Sequence, residues 1–472
     1  MDLRSSIQPE NWPPVLTGSA ASLMALQQHV AQTQWWPEER LREHQFQQIR
    51  CLVDFSVQKV PFYAKRLAAA GVPTDVPLSE EMWNRIPILT RRELRAAGDA
   101  LHMHSIPPSH GSTGFVASSG STGMPVRVRK SKLTNLMWNS CYIRQKLWFD
   151  EGKGGTMVRF PSLLPDLPEG FADAANSPKG LVLPNWGGVD HLLWRTGALG
   201  LMGGGEATAA QADFLLRLKP QHLSTTPSNL RLLISHFRRR SLQLPTLRAV
   251  WADTEVVDDA LRRDCLDVFG CQIIANYSAA ETGFIGLQCP LYPIYHVQSE
   301  TIRVEILDVD GQPCKPGEVG RVVVTPLHNF ATPLLRYEIG DEAEVGEPCA
   351  CGRGLPVLKR IVGRTVDYLV LPSGERRRAT LGISELLKYP DIIEFQHIQR
   401  SFHCIEIMLV VERVLKAEEI GRMREALSKI IGSEFEIIIT FHDRIPRTVS
   451  GKLRRFISQI PNYTKTVDED LY

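Results

Sequence analysis

Between residues 20 and 70 the apolar positions recur three and four residues apart, with Leu23, Leu26 and Val30 on one stretch and Leu41, Phe46, Ile49 and Val53 on the next. That is the period of an amphipathic helix, so the chain is expected to open on a helical layer. After Leu89 the pattern changes to short apolar runs cut by Gly and Pro. Residues 155–160 and 247–251 read as strands, and 209–218 as a helix between them. Strands alternating with helices predict an α/β body. From 301 to 307, Ile302, Val304 and Ile306 alternate with polar residues, Asp310-Gly311 signals a turn, and 320–325 reads as the returning strand. This predicts a β-rich subregion. Beyond Gly363 the order is strand (393–399), strand (405–411), helix (417–431) and strand (435–440), the pattern of a compact α+β module of about 110 residues. The expected division is a large domain over 1–362 and a small one over 363–472.

Composition narrows the classes of function. Of 472 residues, 43% are apolar and 22% charged, which fits a folded globular chain rather than a disordered or fibrous one. Lys plus Arg number 54 against 52 Asp plus Glu, a net charge of +2. That is too little to expect nucleic-acid or membrane-surface binding from bulk charge, so any anion site must be local. No apolar run approaches the roughly 18–20 residues of a membrane span. The first ten residues carry Asp2, Arg4 and Glu10 in place of a secretory pattern. A cytoplasmic setting is expected, and with it cysteines that are reduced thiols or metal ligands.

Five stretches carry candidate chemistry. Ser118, Ser119, Gly120, Ser121, Thr122 and Gly123 place hydroxyls and free amides in one small volume, a loop able to cradle phosphate oxygens or to serve as an ordinary polar turn. It lacks the form of a Walker loop. Asn276 to Gly283 offers the flat ring of Tyr277 for a base and the Glu281 carboxylate for Mg2+. In the third stretch Gly340 is expected to turn the chain so that Asp341 presents acceptor oxygens to paired hydroxyls or caps the turn itself. Gly363-Arg364 lies at the expected domain boundary. Lys452 follows a Ser-Gly turn in a basic run, where a flexible stem can deliver one positive charge, though a solvated loop has the same composition.

With all five in this order in one chain, the sequence resembles the adenylate-forming superfamily of acyl-CoA synthetases, adenylation domains and luciferases. More narrowly it resembles the phenylacetate-CoA ligase branch and the capsular-polysaccharide proteins similar to it. The resemblance covers about Val60 to Phe456, nearly the whole chain. It implies an α/β N-terminal body with a small, mobile C-terminal α+β domain. It also implies ATP-dependent activation of a carboxylic acid to an acyl-adenylate, followed by transfer to coenzyme A. In this reading the loop Ser118 to Gly123 covers the ATP phosphates, Tyr277 with Ser278 and Ala279 flanks the adenine, and Glu281 binds Mg2+. Asp341 holds the ribose, Arg364 sits at the hinge, and Lys452 bridges the carboxylate and the α-phosphate. Ser278, Ala280 and Val366 depart from the residues usual in the superfamily. An amine, or a carrier protein acting in trans, is the alternative acceptor, and a non-catalytic relative or a basic nucleic-acid-binding module is the reading from another class.

Cys289, His296, Cys349 and Cys351 form a separate constellation, either a closed four-ligand Zn2+ site or a set of buried free thiols. Some members of the resembling branch carry a similar set and bind structural zinc. Four protein ligands leave no open position, so the expected role is to staple the β-rich subregion to the body. The acid pocket is sought around Asn185, Trp186, His191, Trp194 and Gly203 to Gly205, with His222 and Thr226. Its aromatic residues suit an aryl or other apolar acid, and core packing explains Trp186 and Trp194 equally well.

Overall fold

The computed structural model describes residues 3–7, 12–73, 76, 78–103, 105–117, 126–149, 154–161, 171–364, 368–378, 382–386, 388–389, 391–411, 413–446 and 456–460. The opening is helical, as the apolar spacing predicts: Gly18–Thr33, Glu38–Lys59 and Pro61–Ala69. In the second helix Leu41, Phe46, Ile49, Leu52 and Val53 form the buried stripe, and Glu38 and Glu39 occupy the first turn, where carboxylates complement the helix dipole. Pro61 takes the first position of the third helix, where its missing N–H is not needed.

A hairpin follows, β1 (Thr113–Ala117) antiparallel to β2 (Arg127–Ser131). The next strands are β3 (Met157–Phe160), β4 (Leu181–Leu183), β5 (Leu199–Leu201), β6 (His222–Thr225), β7 (Ala249–Ala252) and β8 (Gln272–Ala279). Of these, β3, β5, β6, β7 and the first half of β8 are parallel, with β4 as an antiparallel edge. Helices Pro227–Arg239 and Asp259–Phe269 return the chain between β6, β7 and β8. Each is capped by its preceding side chain, Thr226 accepting from the Asn229 N–H and Asp258 from the Leu261 N–H.

Six antiparallel strands complete the sheet: β9 (Gly283–Gln288), β10 (Tyr295–Val297), β11 (Ile302–Leu307), β12 (Val319–Pro326), β13 (Tyr337–Val345) and β14 (Val357–Arg364). The β-rich subregion is thus not set apart from the α/β body. The two halves join edge to edge in one twelve-stranded sheet of order β11-β12-β13-β14-β10-β9-β8-β7-β6-β3-β5-β4. One continuous core, including Tyr63, Trp83, Phe160, Phe214, Phe237 and Tyr337, packs the helices onto it. Each such side chain contributes about 1.5–3 kcal/mol on burial.

After β14 come the hairpin β15 (Tyr368–Val370) and β16 (Arg376–Arg378), then β17 (Ile392–Ser401), β18 (Cys404–Val411), β19 (Glu436–Phe441) and β20 (Phe456–Ser458). The last four form a sheet of order β19-β18-β17-β20, with helix Ala417–Ile431 between β18 and β19. Their hydrophobic cluster, including Leu369, Leu386, Phe395, Ile407, Leu427 and Phe456, draws only on residues from 369 onward. Among the described residues no helix is long and apolar enough to cross a membrane.

Candidate functional site

The site grows from one event in the sheet, the change of partner along β8. Residues 272–275 pair in parallel with β7, whereas Asn276 to Ala279 pair antiparallel with β9. Side-chain amides replace the ladder bonds lost at the crossover. Gln288 accepts from the Ala275 N–H at 3.1 Å and donates to the Ile273 carbonyl at 3.2 Å, and Gln145 donates to the Ala275 carbonyl at 3.0 Å.

Three candidate residues meet there. The Tyr277 hydroxyl donates to Asp341 Oδ2 at 2.8 Å across a separation of 64 residues. Asp341 lies on β13 beside Gly340, whose φ is +85°. The turn expected at Gly340 is instead a bulge in a continuous strand: the β12–β13 register shifts between Arg321 and Val323, opposite Glu342 and Glu338. A bulge re-aims the following side chain without ending the pairing. Arg364 is the register partner of Asp341 across β13 and β14, so backbone pairing alone brings the two together. Ser278 is exposed, its hydroxyl donating to Asn276 Oδ1 at 3.0 Å, and Ala279 ends the strand opposite Gly283.

Glu281 lies in the tight turn between β8 and β9 and is buried. Its Oε1 accepts from the Tyr337 hydroxyl at 3.3 Å and faces Arg91 Nη1 at 3.5 Å. No described bond engages Oε2, which leaves a hard oxygen donor suited to a divalent cation. Gly283 closes the turn with φ +80°, and a Cβ there would lie 2.4 Å from Trp138 Nε1, so only glycine fits. Arg91 is held at the start of helix Arg91–Ala97, which the Thr90–Glu93 capping box fixes.

The sequence reading missed Arg91 and the loop after β7. Asn276 Nδ2 donates to Asp253 Oδ1 at 2.8 Å, and Glu255 accepts from the backbone N–H and hydroxyl of Ser228, both at 2.9 Å. Between them Thr254 holds φ +71°, a strained conformation for a β-branched residue and one that clusters at functional sites. The three polar residues Asp253, Thr254 and Glu255, directly after the apolar Ala249 to Ala252, were a visible signal.

Ser118, Ser119, Gly120, Ser121, Thr122, Gly123, Val366 and Lys452, with the side chain of Arg364, lie outside the described residues. The hairpin flanking the Ser/Gly/Thr loop is anchored at Arg129, whose N–H donates to Thr332 Oγ1 at 2.8 Å and whose Nη1 donates to the Met103 carbonyl at 2.7 Å.

The expected acid-pocket residues divide. Trp186 is buried, donates Nε1 to the Gly155 carbonyl at 2.9 Å, and meets the His222 ring at 5.1 Å between centroids. Trp194 instead packs with Ala20, Ile143 and Leu193 and belongs to the core. His191 is held by Arg4 near the start of the chain. His222 opens β6, while Thr226 follows its other end and caps the next helix.

Cys289, His296, Cys349 and Cys351 converge, with their ligand atoms all within 4.8 Å of one another. Cys289 follows β9, His296 lies in β10, and the Cys-Ala-Cys turn links β13 to β14. The Sγ atoms of Cys289 and Cys349 are 3.8 Å apart, and Cys351 Sγ is 3.3 Å from His296 Nε2. A tetrahedral ion with Zn–S bonds of about 2.3 Å separates two thiolates by about 3.8 Å. His296 Nδ1 lies 3.4 Å from the Leu355 carbonyl, which selects the tautomer with a free Nε2 lone pair. Burial pushes the imidazole down to about 4, so it is neutral and able to ligate. Gly354 ties the turn to the helical layer: its N–H donates to the Gln34 carbonyl at 3.0 Å, and a Cβ would lie 1.7 Å from the Trp36 oxygen.

Residues 192–330 match the family model of AMP-binding enzymes, and 374–459 match the CapK C-terminal domain. The chain is 27% identical to a phenylacetate-coenzyme A ligase of Thermus thermophilus over 467 residues, covering 89% of this chain and 97% of that one. It is 28% identical to protein CapK of Staphylococcus aureus over 228 residues, 45% of this chain and 46% of the relative. In fold it is similar to a 2-hydroxyisobutyryl-CoA ligase in its postadenylation state, with TM-score 0.68, 17% identity and coverage of 92% of this chain and 93% of the other. The same enzyme in its thioesterification state gives TM-score 0.55 and 18% identity, with 91% of each chain covered. The chain thus carries a region that matches the AMP-binding enzymes and one that matches the CapK C-terminal domain, and its relatives lie among the phenylacetate-coenzyme A ligases and CapK.

Proposed function

We propose that the chain activates a carboxylic acid with ATP and then passes the acyl group to the thiol of coenzyme A. The observation that carries this is the convergence of Tyr277, Asp341 and Arg364 where β8 changes partner. An aromatic ring and a carboxylate for vicinal hydroxyls meet there through a 2.8 Å hydrogen bond, with the backbone of Arg364 paired to that of Asp341 and Glu281 in the adjoining turn. The acceptor follows the relatives, named as coenzyme A ligases.

In this reading a carboxylate oxygen attacks the α-phosphorus, the bond to pyrophosphate breaks, and a mixed anhydride forms. The thiol sulfur then attacks the acyl carbon and AMP leaves. No protein nucleophile is needed; the residues hold, orient and neutralise. Tyr277, with Ser278 and Ala279, flanks the adenine, Asp341 holds the ribose and the loop Ser118 to Gly123 covers the phosphates. Glu281 would hold Mg2+, which would supply positive charge to the phosphates. Lys452 reaches the transferring phosphorus from the small domain over 363–472, which rotates about Arg364 relative to the domain over 1–362 after adenylation. We assign Cys289, His296, Cys349 and Cys351 to a structural Zn2+, and the chain to the cytoplasm. Trp186 lines an acid pocket for an aryl or other apolar acid.

The test has two arms. Product analysis with ATP, an acid panel and either coenzyme A or amines is expected to yield a thioester and AMP; amides alone would assign a different acceptor. Lys452→Ala is expected to slow adenylation by about 10²–10³-fold while sparing thioester formation from supplied acyl-adenylate. Equal loss in both steps removes that role from Lys452.

A further inference from the structure

Below the β7–β8 edge lies a buried polar cluster that neither core packing nor nucleotide binding accounts for. Lys146, on helix Lys132–Phe149, is only 6% exposed. Its Nζ sits 3.3 Å from the centre of the Trp251 ring, 5.7 Å from that of Trp186 and 5.3 Å from that of Tyr142. Among the described residues no hydrogen bond or ion pair reaches this ammonium. Facing it is Asp190, 3% exposed, whose Oδ2 accepts from the Tyr142 hydroxyl at 2.7 Å and lies 3.5 Å from Arg159 Nη2. Asp190 Oδ1 is buried and has no partner among the described residues. A packing role would be better served by methionine and leucine, because burying these polar groups unpaired is costly.

The cluster is placed to see the acid. Trp251 stands two residues, about 7 Å, before Asp253 along the strand. Asp253 is held by Asn276, the neighbour of Tyr277. Asp253 and Arg159 also act on Lys146 electrostatically. Burial pushes the Lys146 amine down to about 7, as expected of a lysine in a largely apolar cage.

Resting on the ligase reading above, we propose that this cluster receives the far end of the substrate, and that the substrate is an aromatic acid bearing a neutral hydroxyl on its ring. The ring lies against the indoles of Trp186 and Trp251. The hydroxyl accepts from Lys146 Nζ and donates to Asp190 Oδ1, the buried oxygen that has no hydrogen bond among the described residues. A second carboxylate is disfavoured because it would face Asp190 and Asp253. An unsubstituted ring is disfavoured because it leaves Asp190 Oδ1 buried without a donor, the situation in which a hydrogen-bonding site discriminates most strongly.

The experiment is ATP–pyrophosphate exchange with matched benzoates, phenylacetates and cinnamates that carry a ring hydroxyl, a ring carboxylate or neither. In the best-sized series the hydroxylated acid is expected to exceed the unsubstituted one in kcat/KM by about 100-fold or more, with the dicarboxylate poorest. Lys146→Met and Asp190→Asn should each shrink the hydroxyl preference at least about tenfold, and Lys146→Arg should retain part of it. Thermal unfolding of each variant separates lost folding from lost selectivity. Preference for the unsubstituted or dicarboxylic acid, or variants that scale all acids equally, overturns the proposal. No exchange with any of these acids while AMP still binds overturns the aromatic substrate alone. No exchange together with no AMP binding removes the ligase reading beneath it.

Discussion

The same three strands, β9, β13 and β14, end in opposite kinds of chemistry. At one end Gly283, Asp341 and Arg364 lie where the sheet meets the β8–β9 turn, and long-range hydrogen bonds hold the acceptor oxygens of Asp341 and Glu281. At the other, Cys289, Cys349 and Cys351 close around His296, with every ligand atom turned toward the others. Hard oxygen donors with an unengaged atom, such as Glu281 Oε2, suit a magnesium-bound phosphate that must arrive and leave. Four soft, mutually facing ligands suit an ion that stays. On the proposed function, the sheet keeps turnover and stapling about a strand's length apart.

The largest expected effect falls at the open end. Glu281→Gln keeps the volume and loses the charge, and should lower pyrophosphate exchange by about 100-fold with the fold intact. If exchange changes less than threefold, Glu281 serves only as the counter-ion of Arg91.

At the closed end the effect should be on stability. Metal analysis of the purified protein is expected to find about one Zn2+ per chain, and Cys349→Ser should remove it. The same change should lower the unfolding midpoint on the order of 5 °C while exchange at 25 °C falls by less than about threefold. A fully folded, equally stable, metal-free wild-type protein would remove the zinc assignment. An activity loss as large as that of Glu281→Gln would erase the contrast between the two ends.

The smallest effect separates orientation from contact. Tyr277→Phe keeps the ring for stacking and removes the hydroxyl that donates to Asp341. It should raise KM for ATP about fivefold, the value of roughly one hydrogen bond, with kcat little changed. An unchanged KM would mean that Asp341 is oriented by its bulge alone.

Local order was easy to read and tertiary geometry was not. Helix Ala417–Ile431 follows directly from its apolar period, and β11 and β12 from alternation around Asp310-Gly311. Tyr277 and Asp341 were visible because each sits in a short stretch whose residue types already state a chemistry. Their 2.8 Å contact was not, since it depends on the partner change in β8 and the bulge at Gly340. Arg91 escaped because its carboxylate lies 190 residues away and no local pattern links them. Trp194 was ambiguous because an indole in a core and an indole in a pocket look alike in sequence. The Cys/His set was legible because few arrangements of cysteine and histidine ligate a metal, whereas no local pattern around Lys146 states a chemistry.

The measurement closest to the central claim is calorimetric titration of AMP into the wild-type protein and Asp341→Asn. Saturable binding at one site per chain is expected, weakened about tenfold or more by the substitution, as for loss of a charge-assisted hydrogen bond. No binding to the wild-type chain, or equal affinity for both proteins, would contradict a nucleotide site at the β8–β9 junction.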